Sequence, residues 1–167
     1  MATITKADIA PVRTLHGGPP SVQEVDEGAS QTFVKGEMVN MVSGLLTELS
    51  SDTGSTIYGV AADDARNGTA GQYKCGVYMA DPNTLFEANM LTTAAADYVL
   101  TQADLGTPMA IQRVTADSRV YLNAATKAGA NVRVFVHAVA KNSLVGDTNA
   151  RVLFSFMPNW IQQLGTS

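Results

Sequence analysis

The chain has little of what reactive sites are made from. Its one cysteine, Cys75, cannot close an internal disulfide and cannot alone build a zinc site. Cys75 lies in the apolar run 73–79, so a buried free thiol is expected there rather than a nucleophile. Only two histidines are present, His16 and His137. Serines and aspartates are so plentiful that a Ser-His-Asp triple can always be drawn, which leaves such a pairing without weight. No Asp-x-Asp-x-Asp-Gly calcium loop occurs, and Asp63, Asp64, Asp81 and Asp147 read more simply as turn-capping residues. Neither phosphate-binding glycine pattern, G-x-x-x-x-G-K-[ST] or G-x-G-x-x-G, is found. The expectation is therefore no catalytic residues, no metal, no cofactor and no enzymatic activity.

Charge is scarce as well. Charged residues make up 16% of the chain, against about 25% in ordinary soluble domains. The net charge is -4 and the lysines and arginines are scattered without a run, which argues against a nucleic-acid partner. Aromatics amount to 7%; Tyr73, Tyr78 and Phe86 read as cross-strand packing, since no basic residues interleave with them. No apolar run approaches the roughly 18 residues of a membrane helix. The first 20 residues carry Lys6, Asp8 and Arg13 without an apolar centre, so they do not read as a signal peptide. With no secretory signal, Asn67-Gly68-Thr69 reads as an Asn-Gly turn rather than a glycosylation site. A surface this poor in charge is covered by small polar and apolar residues, which are cheap to take out of water against a neighbour.

What the chain does have is strand grammar. At 46% hydrophobic it can bury a core as one domain. Its organising stretch is 56–89, with apolar runs at 57–62, 73–79 and 85–89 separated by polar breaks at 63–72 and 81–83. Short runs bounded by Gly, Pro, Asn and Asp predict antiparallel strands, here a three-strand meander. Upstream, 22–25 and 32–34 predict strands around a turn at 26–28. Runs 38–42 and 45–49 predict a hairpin joined at Ser43-Gly44. Residues 91–106 have helical colour: Thr92-Thr93 offers a cap, and Thr101 with Asp104 makes a capping-box-like start for a turn or two. Four more strands are expected at 109–114, 119–122, 132–140 and 151–156. In the third of these, Val132, Val134, Val136, Ala138 and Ala140 share one face, with Arg133, Phe135, His137 and Val139 on the other. About ten short strands predict an all-β sandwich or small barrel.

Residues 1–20 stand apart as an extended N-terminal arm, and 21–167 form a single β-rich domain. The stretch Gly17-Gly18-Pro19-Pro20 gives a bend and then a stiff extended piece. A disordered terminus is the simpler alternative, but Ile4, Ile9, Val12 and Leu15 give the arm something to bury on a neighbouring subunit. With the arm, Asp63, Asp64 and Arg66 of the long loop and Trp160 of the tail complete the candidate contact residues.

The order of pieces FVKGEMV (33–39), IYGVAADDA (57–65), CGVYMADPNTLFEA (75–88), TQADLG (101–106) and ARVLFSF (150–156) resembles the capsid decoration, or cement, proteins of tailed bacteriophages. The likeness spans 33–156 and lies in the arrangement of strands and turns. It implies a compact β-barrel or tulip-like core, homotrimers, and an N-terminal arm that crosses to neighbouring subunits. It also implies a place on the outer capsid surface of the virion, against the major capsid protein, for a protein made in the host cytoplasm. Another virion part (tail tube, head completion or fibre base) is the second reading. A carbohydrate-binding β-sandwich, with Tyr58, Tyr78 or Trp160 as a stacking platform, is the third.

Overall fold

In a computed structural model of the chain, residues 1–49, 56–114, 119–129 and 131–162 are described. Among them the strands are β1 (Ala10–Thr14), β2 (Val22–Asp26), β3 (Met38–Val42), β4 (Leu45–Glu48), β5 (Gly59–Ala61) and β6 (Lys74–Met79), followed by β7 (Thr84–Leu91), β8 (Pro108–Val114), β9 (Arg119–Asn123), β10 (Val132–Val139) and β11 (Arg151–Phe156). Among the described residues, helical structure is confined to single 3₁₀ turns at Thr93–Ala95, Gln102–Asp104 and Pro158–Trp160. The fold is all-β, with two packed sheets in a sandwich-like arrangement. The larger sheet runs β1-β7-β11-β10-β8-β9 and the smaller β2-β6-β5-β3-β4.

Both sheets curl. The last strand of the larger one, β9, returns to pair in parallel with β7 over Met90–Leu122 and Leu91–Asn123. Two residue pairs are a touch rather than the closure of a barrel. In the smaller sheet, Glu27 bridges Leu46 and the Gly28 N–H donates to the Leu46 carbonyl at 2.8 Å, which brings the end of β2 beside β4. The main core lies between the sheets, around Phe86, Phe154 and Phe156, whose ring centroids are 5.1 to 5.8 Å apart. A second, smaller core lies inside the curl of the smaller sheet and holds Phe33, Val39, Leu46, Tyr58, Cys75 and Val77.

The alternation of side chains along the smaller sheet explains its unbroken apolar runs. Met38, Ile57, Val60 and Ala80 face the main core, while Val39, Tyr58, Ala61 and Val77 face the small one. A strand buried on both faces has no polar face to display. The β3–β4 hairpin forms as Ser43-Gly44 predicts, with both residues at positive φ, 51° and 79°, as a tight hairpin turn requires.

Four expectations are corrected. The stretch 56–89 is not one meander: β5 and β6 pair in the smaller sheet, but β7 crosses to the larger one after the turn at Asp81-Pro82-Asn83. Residues 32–34 form no strand. Instead Phe33 plugs the small core, its carbonyl accepting the Ala65 N–H at 2.9 Å. In β10 the register with β11 slips at His137. This bulge turns Ala138 outward and lets Val139 pack on the main core, while Arg133 is buried.

The fourth correction concerns residues 1–20, which do not stand off from the domain. They form edge strand β1 beside β7, and Ile9 enters the main core. Asn89 grips the approach: its Oδ1 accepts the Ala7 N–H at 2.9 Å and its Nδ2 donates to the Thr5 carbonyl at 3.3 Å. Gly36 makes room for this docking, because a Cβ there would sit 2.5 Å from that of Asp8, at a φ of +84°.

Candidate interaction surface

The long loop after β5 is folded back on its own sheet. Glu27, at the end of β2, is buried, and its carboxylate accepts the N–H groups of Arg66 (2.9 Å) and Asn67 (3.0 Å). Around it, Asp63 Oδ2 accepts the Gly76 N–H at 3.1 Å, and Asp64 Oδ1 accepts the Lys35 N–H at 2.8 Å. The Arg66 guanidinium lies 5.6 Å over the Tyr73 ring. A buried carboxylate is tolerable only when its oxygens are satisfied, and here the loop supplies the donors. Asp63, Asp64 and Arg66 are therefore exposed but engaged within the chain. Cys75 sits behind them; burial pushes its thiol up to about 11, so it is protonated and unreactive near neutrality.

Of the apolar residues proposed for the arm, Ile9 is in the core and Ile4 is half-buried. Val12 and Leu15 are exposed, Leu15 at the tip of a turn in which the Gly18 N–H donates to the Thr14 hydroxyl at 2.9 Å. Pro19 is exposed and Pro20 half-buried. The structure does not bring these residues together with Asp63, Asp64 and Arg66 into one site. Trp160 lies elsewhere, half-buried, with the Arg133 guanidinium 4.8 Å over its ring.

A different surface emerges where the N-terminal residues meet the loop 141–150. Thr3 bridges Thr148 in parallel, and Val99 bridges the same residue in antiparallel. The Thr148 N–H donates to the Ala2 carbonyl at 2.8 Å, and the Leu100 N–H to the Asp147 carbonyl at 3.0 Å. Asp147 ties the pieces together: its carboxylate accepts the Ala2 N–H at 2.7 Å and the Leu144 N–H at 2.9 Å. These bonds favour the charged form and hold its pKa below the ordinary value.

This ribbon displays apolar side chains to solvent. Leu144 is 71% exposed, Val145 and Val99 44% each, and Met1 fully. The Met1 side chain lies over Gly146, whose Cβ, were there one, would be 3.7 Å from Met1 Cγ. Half of the large exposed apolar residues among those described thus sit on three hydrogen-bonded segments. Scattered exposed apolar residues need no explanation, but a gathering of them does. Sequence reasoning missed this surface. The signal present was an adjacent pair, Leu144-Val145, inside an otherwise polar loop.

Nearby, Asp104 is a buried carboxylate of a different kind. Burial alone would raise its pKa, but donors from Lys127, the Thr101 N–H and hydroxyl, and Tyr98 outweigh this and hold it below its ordinary value. With Thr101 it forms the capping box expected from the sequence. Its partners are structural and close the turn against the β9–β10 connection.

Comparison of the chain with protein-family models, with curated proteins and with solved structures yields no match.

Proposed function

We propose that this chain is a virion structural protein that decorates the outer face of an expanded phage head, self-associates as a trimer and bridges major capsid subunits. The observation that carries the reading is the ribbon of Met1, Val99, Leu144 and Val145, held in place by Asp147. Burying such side chains is worth about 1.5–3 kcal/mol each before ordering costs. Those costs are low here because the backbone is already fixed.

The sheet edges support association through side chains rather than through added strands. On edge strand β1, Pro11 lacks an N–H and the register slips between Pro11 and Arg13. The ends of β2 and β4 lie against each other, and β9 returns to β7. A low-charge surface then packs on a lattice with little desolvation cost. A protein that binds only the assembled, expanded lattice stabilises it by mass action, and repetition over the lattice lets each contact be weak.

The test adds purified protein to undecorated expanded heads. Saturable binding with a rise in head melting temperature is expected. Neither would be seen if the reading is wrong.

A further inference from the structure

A groove of about 460 Å³ opens between the β9–β10 connection and the turn Pro158–Trp160, within the range of roughly 300–1,000 Å³ typical of small-ligand sites. Pro108, Val132 and Met157 give it an apolar wall beside the Trp160 indole, and Lys127 and Asn159 supply its polar side chains. The indole is held in place by Arg133 of β10, a buried side chain whose guanidinium lies 4.8 Å over the ring. An aromatic fixed in advance loses little entropy when a ligand stacks on it.

Among the described residues, the one charged side chain lining the groove is already paired. The Lys127 ammonium donates to the buried Asp104 carboxylate at 2.5 Å, so its charge is compensated from within the protein. No carboxylate among the described residues lines the groove to attract a cation. What remains is a flat aromatic wall with an amide at the rim.

We propose that this groove binds a neutral carbohydrate, one sugar ring stacking its C–H face on the Trp160 indole with its hydroxyl edge toward Asn159. A pyranose is apolar on its face and polar at its edge, which matches the two parts of the groove. Lys127, the charged side chain that lines the groove, is already paired with Asp104, and an aliphatic side chain makes no use of the ring or the amide. Of the two tyrosine platforms considered from the sequence, Tyr58 is buried with its hydroxyl donating to Gln23 at 3.0 Å, and Tyr78 is half-buried and packs on the main core. The inference is independent of head decoration, and either can fail without the other.

Trp160 is the chain's single tryptophan, so intrinsic fluorescence reports on this groove directly. The full-length protein is titrated with neutral monosaccharides and their short oligomers (glucose, galactose, mannose, N-acetylglucosamine), and with a sialylated trisaccharide as the acidic control. A saturable change is expected with at least one neutral sugar and none with the acidic one. Affinity for that sugar should fall at least tenfold in Asn159→Ala and in Ala128→Leu, which narrows the groove without touching the Arg133–Trp160 stack. No saturable change with any neutral sugar, a preference for the acidic one, or undiminished binding in both variants would overturn the proposal.

Discussion

The two sheets share the main core but differ in what they gather at the surface. The larger one rests on apolar packing, with Phe86, Phe154 and Phe156 at its centre, and leaves apolar side chains of its loops in solvent. The smaller one has a modest core of its own and holds its loops with the buried carboxylates Glu27 and Glu37, as Asp104 and Asp147 hold the loops beside the larger sheet. Glu37 Oε2 accepts the Val34 N–H at 2.9 Å. It also meets Arg113 of β8, which reaches Glu48 as well, each at 3.3 Å, and so ties the sheets together. The polar groups of the smaller sheet are spent on internal bonds. The smaller sheet exposes Val22 and Val42 on two separate strands, β2 and β3, whereas Met1, Val99, Leu144 and Val145 gather on hydrogen-bonded segments beside the larger sheet.

The largest expected effect comes from the shared core. Phe86→Ala should cost roughly 3–5 kcal/mol of stability, read by denaturant unfolding. Because Phe86 lies between the sheets, Trp160 fluorescence and Cys75 labelling should report one common transition. Separate transitions would show that the sheets do not unfold together. Glu27→Ala is next, at about 1–3 kcal/mol, because two loop N–H groups lose their acceptor. It should expose Cys75 to a thiol reagent before Trp160 fluorescence changes, since the loss is confined to the smaller sheet. Simultaneous change would erase the distinction drawn between the sheets.

Acid titration separates them further. Asp104 has a lowered pKa, so its stabilising contribution is present above the ordinary value of 3.8 and is lost as pH falls through the folded value. Glu37 is opposite. Burial raises its pKa against the pull of Val34 and Arg113, so its contribution is full below 4.5 and is lost as pH rises through the raised value. Urea midpoints measured across the acid range should show Asp104→Asn weakening the drop at the acid end. Glu37→Gln should instead weaken the decline above pH 4.5. Identical pH profiles for the two variants would contradict the assignment. The smallest effect on folding is expected from Leu144→Asp with Val145→Asp, within about 0.5 kcal/mol per site, because both side chains are exposed.

Strand content was legible in the sequence wherever local grammar decided it. Ser43-Gly44 marked the β3–β4 hairpin, and Thr101 with Asp104 marked the capped turn. What lay beyond local grammar was long-range pairing. Nothing within 81–83 tells that β7 changes sheet, and nothing near residue 10 tells that β1 finds β7. Ile9 reads from sequence as a contact residue of an extended arm because its one anchor, the main core, is assembled from distant segments. Deleting residues 1–20 would thus remove a strand and a core side chain as well as a surface. The candidate contacts fared according to the same rule. Val12, Leu15 and Pro19 are exposed, whereas Asp63, Asp64 and Arg66 are engaged by groups that only the folded loop brings near. The Leu144-Val145 pair was visible, but its joining with Met1 and Val99 depends on Thr3 and Val99 both bridging Thr148.

The most direct measurement compares the wild-type protein with the Leu144→Asp, Val145→Asp double variant in binding to undecorated expanded heads, after equal unfolding midpoints confirm that both are folded. The account predicts saturable binding and a raised head melting temperature for the wild type, and at least a tenfold loss of binding for the variant. Equal binding by the two proteins, or none by the wild type, would contradict it.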